Sequence, residues 1–300
     1  MRRIDRIPQE LLKNLERRLT VGSASPAPTP APATSILTIS DLINTGRAFY
    51  SNETDSSGRN IGVASSLRQA LDYAPQGIAT LPYLIAGKAQ ADKENYLWKN
   101  WYAADEEHVG IDKRGIFGEA GKPVVLVVHS NSSSRLLIPA RIIKAYEDGL
   151  TPQNAAKLIP KEFDDLILGK LPSGIFFPIY TVTQIKLDAV PTAFGTYAVA
   201  VPFEAAKAQA SGQLTKKQFM ENPLVIARAG MLDHLDDYFE KAKSSEKVGN
   251  YHRFAEIDPT IPQGRVLFVD INYGGLIGDD LNISGRFVGV APKAPSEVLK

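Results

Sequence analysis

The residues best suited to chemistry follow a run of five apolar residues, Val124 to Val128. This run has the length and β-branched content of a buried strand, and it ends at His129. A polar loop over 130–135 comes next, and a helix is predicted from Pro139 because proline suits the first helical turn. Open α/β sheets place ligands where a strand ends in such a loop. We therefore expect the functional site within residues 124–149.

His129 is the candidate catalytic residue of this segment. A histidine at the end of a strand could act as a general base or as a hydrogen-bond donor to an oxyanion. The chain lacks the Gly-x-Ser-x-Gly sequence that α/β-hydrolases carry, so that family is not expected. The alternative interpretation is a histidine that is simply hydrogen-bonded at a strand terminus.

Ser130, Ser132 and Arg135 are the candidate ligand-binding residues of the loop. Hydroxyl groups, backbone amides and a guanidinium all donate hydrogen bonds to phosphate, and the following helix offers a positive N-terminus. The loop has neither the glycines nor the Gly-Lys-Ser/Thr ending of a phosphate-binding Walker A motif. A solvated serine-rich turn is the alternative.

Asp270 and Asp280 belong to a second candidate site, the glycine-rich segment 270–286. With Asp279 they could hold Mg²⁺ or Ca²⁺. The spacing is not that of an EF-hand, and glycine, aspartate and asparagine favour turns for conformational reasons alone. The turn is therefore the favoured interpretation, and we assign no metal. The histidines also lack the spacing of zinc ligands.

Composition excludes several classes of function. The chain has 34 basic and 33 acidic side chains, so no global field attracts nucleic acid. It contains no cysteine, which excludes disulfides and cysteine-based catalysis or metal binding. We find neither an apolar run long enough to span a membrane nor the apolar core of a signal peptide. The sequence thus predicts a soluble, cytoplasmic protein with no integral membrane segment and no nucleic-acid partner.

Three regions are predicted along the chain. Residues 1–21 carry apolar side chains at helical spacing and should form an amphipathic helix. Residues 22–35 are uncharged and rich in proline and alanine, which is typical of an extended linker. Residues 36–300 should form one globular domain. The N-terminal helix could bind a protein partner, a second copy of the chain or a membrane surface. The alternative is a disordered tail, or a helix that folds back on its own domain.

The domain is predicted to be α/β or α+β, with a single mixed sheet. Helical patterns dominate its first part, and strands then alternate with helices. The predicted helices are 41–49, 62–73, 81–102 in large part, 139–148, 160–168, 203–210 and 230–243. The predicted strands are 124–128, 175–182, 197–201, 224–227, 266–271 and 287–290. We expect the last two strands to pair as an antiparallel hairpin, because glycines in the segment between them permit a turn.

Three functions remain open at this stage. The first is an enzyme or small-ligand-binding protein, with a phosphate- or nucleotide-containing ligand at 124–149. The second is a non-catalytic scaffold that docks through residues 1–21. The third is a transferase acting on a dinucleotide, although the chain has no Gly-x-Gly-x-x-Gly motif. No cofactor is assigned.

Overall fold

A computed structural model describes most of the chain from residue 38 onward. The described residues are 38–75, 77–131, 134–187, 196–270, 275–279 and 281–291. The predicted N-terminal helix (1–21) and linker (22–35) lie outside them, as do Ser132 and Asp280. Leu37–Lys300 forms one compact unit.

The described residues form both strands and helices. The strands are β1 (Arg47–Ser51), β2 (Tyr102–Asp112), β3 (Lys122–His129), β4 (Ala156–Lys157), β5 (Ile179–Thr181), β6 (Tyr197–Pro202), β7 (Gly212–Thr215), β8 (Lys247–Tyr251), β9 (Gln263–Val269), β10 (Leu276–Asp279) and β11 (Gly285–Gly289). The α-helices are α1 (Ile39–Thr45), α2 (Gly62–Tyr73), α3 (Leu81–Gln90), α4 (Tyr96–Lys99), α5 (Pro139–Asp148), α6 (Pro160–Ile167), α7 (Val182–Lys186), α8 (Phe203–Lys207), α9 (Lys216–Glu221), α10 (Pro223–Ala229) and α11 (Leu235–Ala242).

One large mixed sheet organises the domain. Its strand order is β5-β6-β3-β2-β9-β10-β8-β7, and β4 pairs with β9 beside this path. The pairs β5–β6 and β8–β10 are parallel, whereas the other pairs in the sheet are antiparallel. β1 and β11 form a separate antiparallel ribbon. The predicted mixed α and β domain is therefore confirmed.

Apolar side chains cover both faces of the large sheet, which explains the uninterrupted apolar run of β3. Val125 and Val127 join the core formed with α3, α10 and α11, whereas Val124, Leu126 and Val128 pack with α6 on the opposite face. A strand buried on both faces has no solvent side on which to place polar residues. The predicted strand 124–128 is confirmed within β3.

Two helices are confirmed at their predicted bounds, α2 and α5. Gly149 ends α5 with a φ of 79°, a conformation that favours glycine. By contrast, the strand predicted at 224–227 is wrong, because these residues lie in α10. Asn222 caps that helix through its side chain and Pro223 occupies its first turn, so the start signals outweigh a short apolar run.

The predicted hairpin between 266–271 and 287–290 is also wrong. β9 instead pairs with β10, a strand that lies inside the expected loop. β11 pairs with β1, in a segment predicted to be mostly helical. The strand β2 was missed altogether, because its centre is charged and does not resemble a buried strand.

No helix among the described residues is long and apolar enough to cross a membrane.

The packing of α2 on β11 leads to a testable prediction. A Cβ at Gly285 would lie 2.5 Å from the Gly62 carbonyl oxygen and from the Val63 Cα, and would overlap Ser66. We expect Gly285→Ala to lower the free energy of unfolding by about 1–3 kcal/mol, because the backbone of α2 must move. The measurement is urea unfolding. Gly275→Ala is the control, since its Cβ would meet only ordinary contacts from 3.4 Å outward; equal stability of the two variants would contradict the prediction.

Candidate functional site

Four consecutive ionisable residues occupy the middle of β2, the strand between β3 and β9. This charged quartet consists of Asp105, Glu106, Glu107 and His108, and none of them has exposed surface. Side chains alternate across a strand, so neighbouring members point into opposite layers. An isolated buried charge costs a large free energy, so each of these carboxylates requires a partner.

Asp105 pairs with His129 at the end of β3. The Oδ2 atom of Asp105 lies 2.5 Å from Nδ1 of His129 and accepts a 2.8 Å hydrogen bond from the Leu81 amide in the first turn of α3. The other ring nitrogen, Nε2, lies 2.9 Å from the Ala227 carbonyl oxygen. Both ring nitrogens of His129 thus lie within hydrogen-bond distance of oxygen atoms of the protein. The Asp105 carboxylate also lies at the N-terminus of α3, where the positive end of the helix dipole stabilises a negative charge.

The predicted catalytic residue therefore occupies a closed environment. His129 has no exposed surface, and its two ring nitrogens contact acceptors of the protein. This is the geometry of a histidine hydrogen-bonded at a strand terminus. A catalytic role for His129 stays a prediction, and it would require a rearrangement that frees one nitrogen.

Glu106 binds the loop that follows β3. Its Oε1 atom accepts a 2.6 Å hydrogen bond from the Leu136 amide and further bonds from the Leu137 amide and the Ser134 hydroxyl. Its Oε2 atom lies 2.7 Å from Nε2 of His108. Burial acts to raise the pKa of Glu106, but His108 and these donors hold it below its usual range. Ser134 and the amides that directly follow loop 130–135 therefore bind a carboxylate of the same protein.

The predicted ligand-binding residues of this loop are not brought together on an open surface. The Ser130 hydroxyl lies 3.1 Å from that of Thr196, and Ser130 is almost fully buried. Arg135 is also largely buried, with Nη2 3.6 Å from Asp165 and 3.4 Å from the Lys170 carbonyl oxygen. Ser132 lies outside the described residues. Binding of an external ligand by these residues stays a prediction.

Glu107 faces the opposite layer and pairs with Arg228 of α10. Nε and Nη2 of Arg228 lie 3.0 and 2.9 Å from Oε2 of Glu107, and both side chains are fully buried. Nη1 of Arg228 donates to the side chain of Asn250 and to the carbonyl oxygens of Tyr251 and Leu276. This guanidinium therefore joins α10 to both β8 and β10.

An open pocket of about 280 Å³ lies against β9 and β10. We call it the Trp101 pocket; it is lined by Trp101, Phe268, Asp270, Ile277, Ile283 and Ser284. The Trp101 and Phe268 rings lie 5.5 Å apart between centroids, at 52°. Tyr50 packs edge-on against Trp101, and the Arg286 guanidinium lies 5.4 Å from the centroid of the Trp101 ring. Aromatic faces, aliphatic side chains, a carboxylate and a hydroxyl thus meet at one place.

Asp270 is the predicted site residue that this pocket contains. Its negative charge also acts on Lys88, a fully buried lysine of α3 whose Nζ lies 4.7 Å from the centroid of the Trp98 ring. Burial lowers the pKa of Lys88 to about 7, and Asp270 opposes this shift. Asp280 lies outside the described residues, so its approach to Asp270 is untested. Within the described ranges, no three histidine, aspartate or glutamate residues are grouped to hold a metal ion.

Sequence reasoning assigned Asp270 alone among the residues of this pocket. Its other lining residues come from the position before β2, from β9 and β10 and from the segment before β11. Knowledge of the β2–β9–β10 order would have revealed the pocket, and no local motif reports that order.

The comparisons with known proteins concern the fold. No protein-family model and no curated protein sequence matches the chain. A solved structure described as "Accommodation of massive sequence variation in Nanoarchaeota by the C-type lectin fold" is similar, with a TM-score of 0.59 and 25% sequence identity. The match covers 83% of this chain and 100% of the other. This chain therefore has an α+β fold similar to the C-type lectin fold.

The environment of Glu106 leads to a prediction about how the stability of the fold depends on pH. Its pKa is lower in the folded protein than in the unfolded chain, so its stabilising contribution is complete above the unfolded value of about 4.3 and is lost as the pH falls through the folded value. We expect Glu106→Gln to lower the free energy of unfolding by about 3–5 kcal/mol at neutral pH, since His108 and the loop lose a buried charge partner.

Urea unfolding of the wild type and of Glu106→Gln at a series of pH values tests this expectation. The difference between the two should narrow as the pH falls below about 4.3. Glu147→Gln, at an exposed position of α5, is the control and should match the wild type throughout. A difference between wild type and Glu106→Gln that does not change with pH would show that the charge of Glu106 is not what stabilises the fold.

Proposed function

We propose that this protein is a ligand-recognition protein and that it binds a small ligand, or a small group of a larger partner, in the Trp101 pocket. The observation that carries the proposal is the combination of aromatic, aliphatic and polar groups in one open cavity of about 280 Å³. Binding sites are typically concave, mostly apolar and provided with a few polar groups that fix orientation.

The lining of the pocket indicates the chemistry of the ligand. The Trp101 and Phe268 rings offer faces for an apolar or weakly polarised CH surface. The Asp270 carboxylate accepts hydrogen bonds, and the Ser284 hydroxyl can donate or accept them. A compact ligand with an apolar face and one or more hydrogen-bond donors satisfies both requirements.

The burial of other reactive groups favours binding over catalysis. His129 and the charged quartet of β2 make their hydrogen bonds inside the protein and have no exposed surface. General acid–base catalysis needs a group within reach of a substrate proton. The described residues that line the Trp101 pocket include one carboxylate but no histidine or lysine.

The fold comparison adds a second line of support. The similar solved structure is described as a C-type lectin fold that accommodates massive sequence variation. By analogy, we infer that this chain keeps a fixed interior while the residues around a surface cavity set what it recognises. Docking of a partner through residues 1–21 stays a prediction, since those residues lie outside the described part.

Intrinsic fluorescence tests the proposal, because the chain has two tryptophans, Trp98 and Trp101. Trp98 stacks on Tyr238 with a centroid distance of 6.0 Å and does not line the pocket. In Trp98→Phe, all tryptophan emission comes from Trp101. Titration of this variant with cyclohexylamine, cyclohexanol and methyl α-glucopyranoside should give a saturable change in emission with at least one of the three.

The matched variants separate the pocket from the rest of the domain. Asp270→Asn in the same background should weaken binding of a hydrogen-bond-donating probe by about tenfold, as expected for the loss of a charged acceptor. Trp101→Phe, in which Trp98 alone emits, should lose the fluorescence response. Absence of a saturable response to all three probes, or an equal response from Trp98 in Trp101→Phe, would overturn the proposal.

A further inference from the structure

A second cavity lies where the parallel strands β8 and β10 end. It has a volume of about 390 Å³ and is lined by Ser211, Tyr251, His252, Arg253, Ile277 and Gly278. We call it the His252 pocket. Tyr251 is the last residue of β8 and pairs with Ile277 of β10. Carboxyl ends of adjacent parallel strands are places where open sheets bind ligands.

Hydrogen-bond donors dominate the polar groups of this pocket. The Tyr251 hydroxyl oxygen accepts a 2.8 Å bond from Nε2 of Gln213, which leaves its own hydrogen for an acceptor. The Arg253 side chain is exposed and makes no hydrogen bond or ion pair with any described residue. Among the described residues that line the pocket there is no aspartate or glutamate.

Buried positive charge lies directly behind the pocket. Arg228 donates through Nη1 to the Tyr251 carbonyl oxygen, so its guanidinium lies beneath a lining residue. Gly278 borders both places, because a Cβ at this position would lie 2.8 Å from Nη2 of Arg228 and 2.8 Å from Oε1 of Glu107. The absence of a side chain at Gly278 therefore lets the backbone approach the buried guanidinium.

The field of these buried charges reaches the pocket with a positive sign. Burial is the main reason that the pKa of His252 is lowered, and the Arg228 charge lowers it further by more than Glu107 raises it. Arg265, whose Nε lies 4.0 Å from Glu107, acts in the same direction as Arg228. A low-dielectric wall between a buried cation and a concave surface strengthens attraction for anions.

We propose that the His252 pocket binds a phosphate group, with the Arg253 guanidinium and the Tyr251 hydroxyl as direct donors and Arg228 as a buried source of positive potential. Arginine suits this role because its planar guanidinium can donate two parallel hydrogen bonds to phosphate oxygens. This site is distinct in chemistry from the Trp101 pocket, although Ile277 lines both cavities. The proposal does not depend on the ligand of the Trp101 pocket.

Calorimetric titration with inorganic phosphate, in a chloride buffer of constant ionic strength, tests the proposal on the full chain. We expect saturable binding to one site. Arg253→Gln should weaken it by about tenfold or more, as the loss of a charge-assisted hydrogen bond implies. Tyr251→Phe should weaken it by a smaller factor. Phenyl phosphate is titrated in parallel, and tighter binding of this ester would identify a phosphomonoester as the source of the phosphate group.

Two controls make the result specific. Arg68→Gln removes one positive charge from an exposed position of α2 and should bind phosphate like the wild type. Trp101→Phe should also retain phosphate binding, which separates this site from the proposed recognition site. Unchanged urea-unfolding curves exclude a folding defect in the Arg253 and Tyr251 variants. No saturable phosphate binding to the wild type, or equal weakening by Arg253→Gln and Arg68→Gln, would overturn the proposal.

Discussion

The fold depends on the pairing of carboxylates inside its central strand. β2 places Asp105, Glu106 and Glu107 next to one another in a fully buried position, where unpaired charges would be prohibitively costly. Their partners come from the end of β3, from the loop before α5 and from α10. These segments are far apart in the sequence, and they reach the carboxylates of β2 only when the layers on both faces of the sheet are correctly placed. The buried carboxylates therefore have their partners only in the correctly assembled fold. A buried ion pair contributes little net stability compared with apolar packing, but removal of one partner is severe.

The sequence predicted the apolar parts of the fold better than the charged ones. Residues 124–128 and 139–148 follow simple rules, because an uninterrupted apolar run and a proline–glycine pair mark a strand and a helix directly. Residues 105–108 violate the same rules. Four ionisable residues in a row normally indicate exposure, and only their tertiary partners allow them to lie in a core. β10 was missed for a different reason, since a short strand in a glycine-rich segment resembles a turn.

The candidate sites also combine features that local sequence patterns predict with features that depend on tertiary contacts. Reasoning from placement assigned the loop after β3 to an external anion, and it had no means of identifying Glu106 as the carboxylate that the end of this segment binds. The Trp101 pocket gathers residues separated by more than 160 positions, and Asp270 is the residue of its lining that the sequence analysis assigned to a site. The His252 pocket depends on a parallel pairing of β8 with β10 that no sequence pattern indicates. The order of strands that are distant in the sequence is therefore what local sequence patterns do not predict.

The alternation of the charged quartet also restricts how the sheet can assemble. Shifting a strand by one residue exchanges its two faces. A one-residue slip of β2 would turn Glu107 towards the loop amides that now bind Glu106, and would present an uncharged or like-charged neighbour to Arg228. A strand that is apolar on both faces tolerates such a slip more easily, because valine and leucine can pack against the apolar layer on either face of the sheet. The buried charges of β2 thus fix the register of this strand, because a misaligned sheet would leave them without their partners at a large cost in free energy.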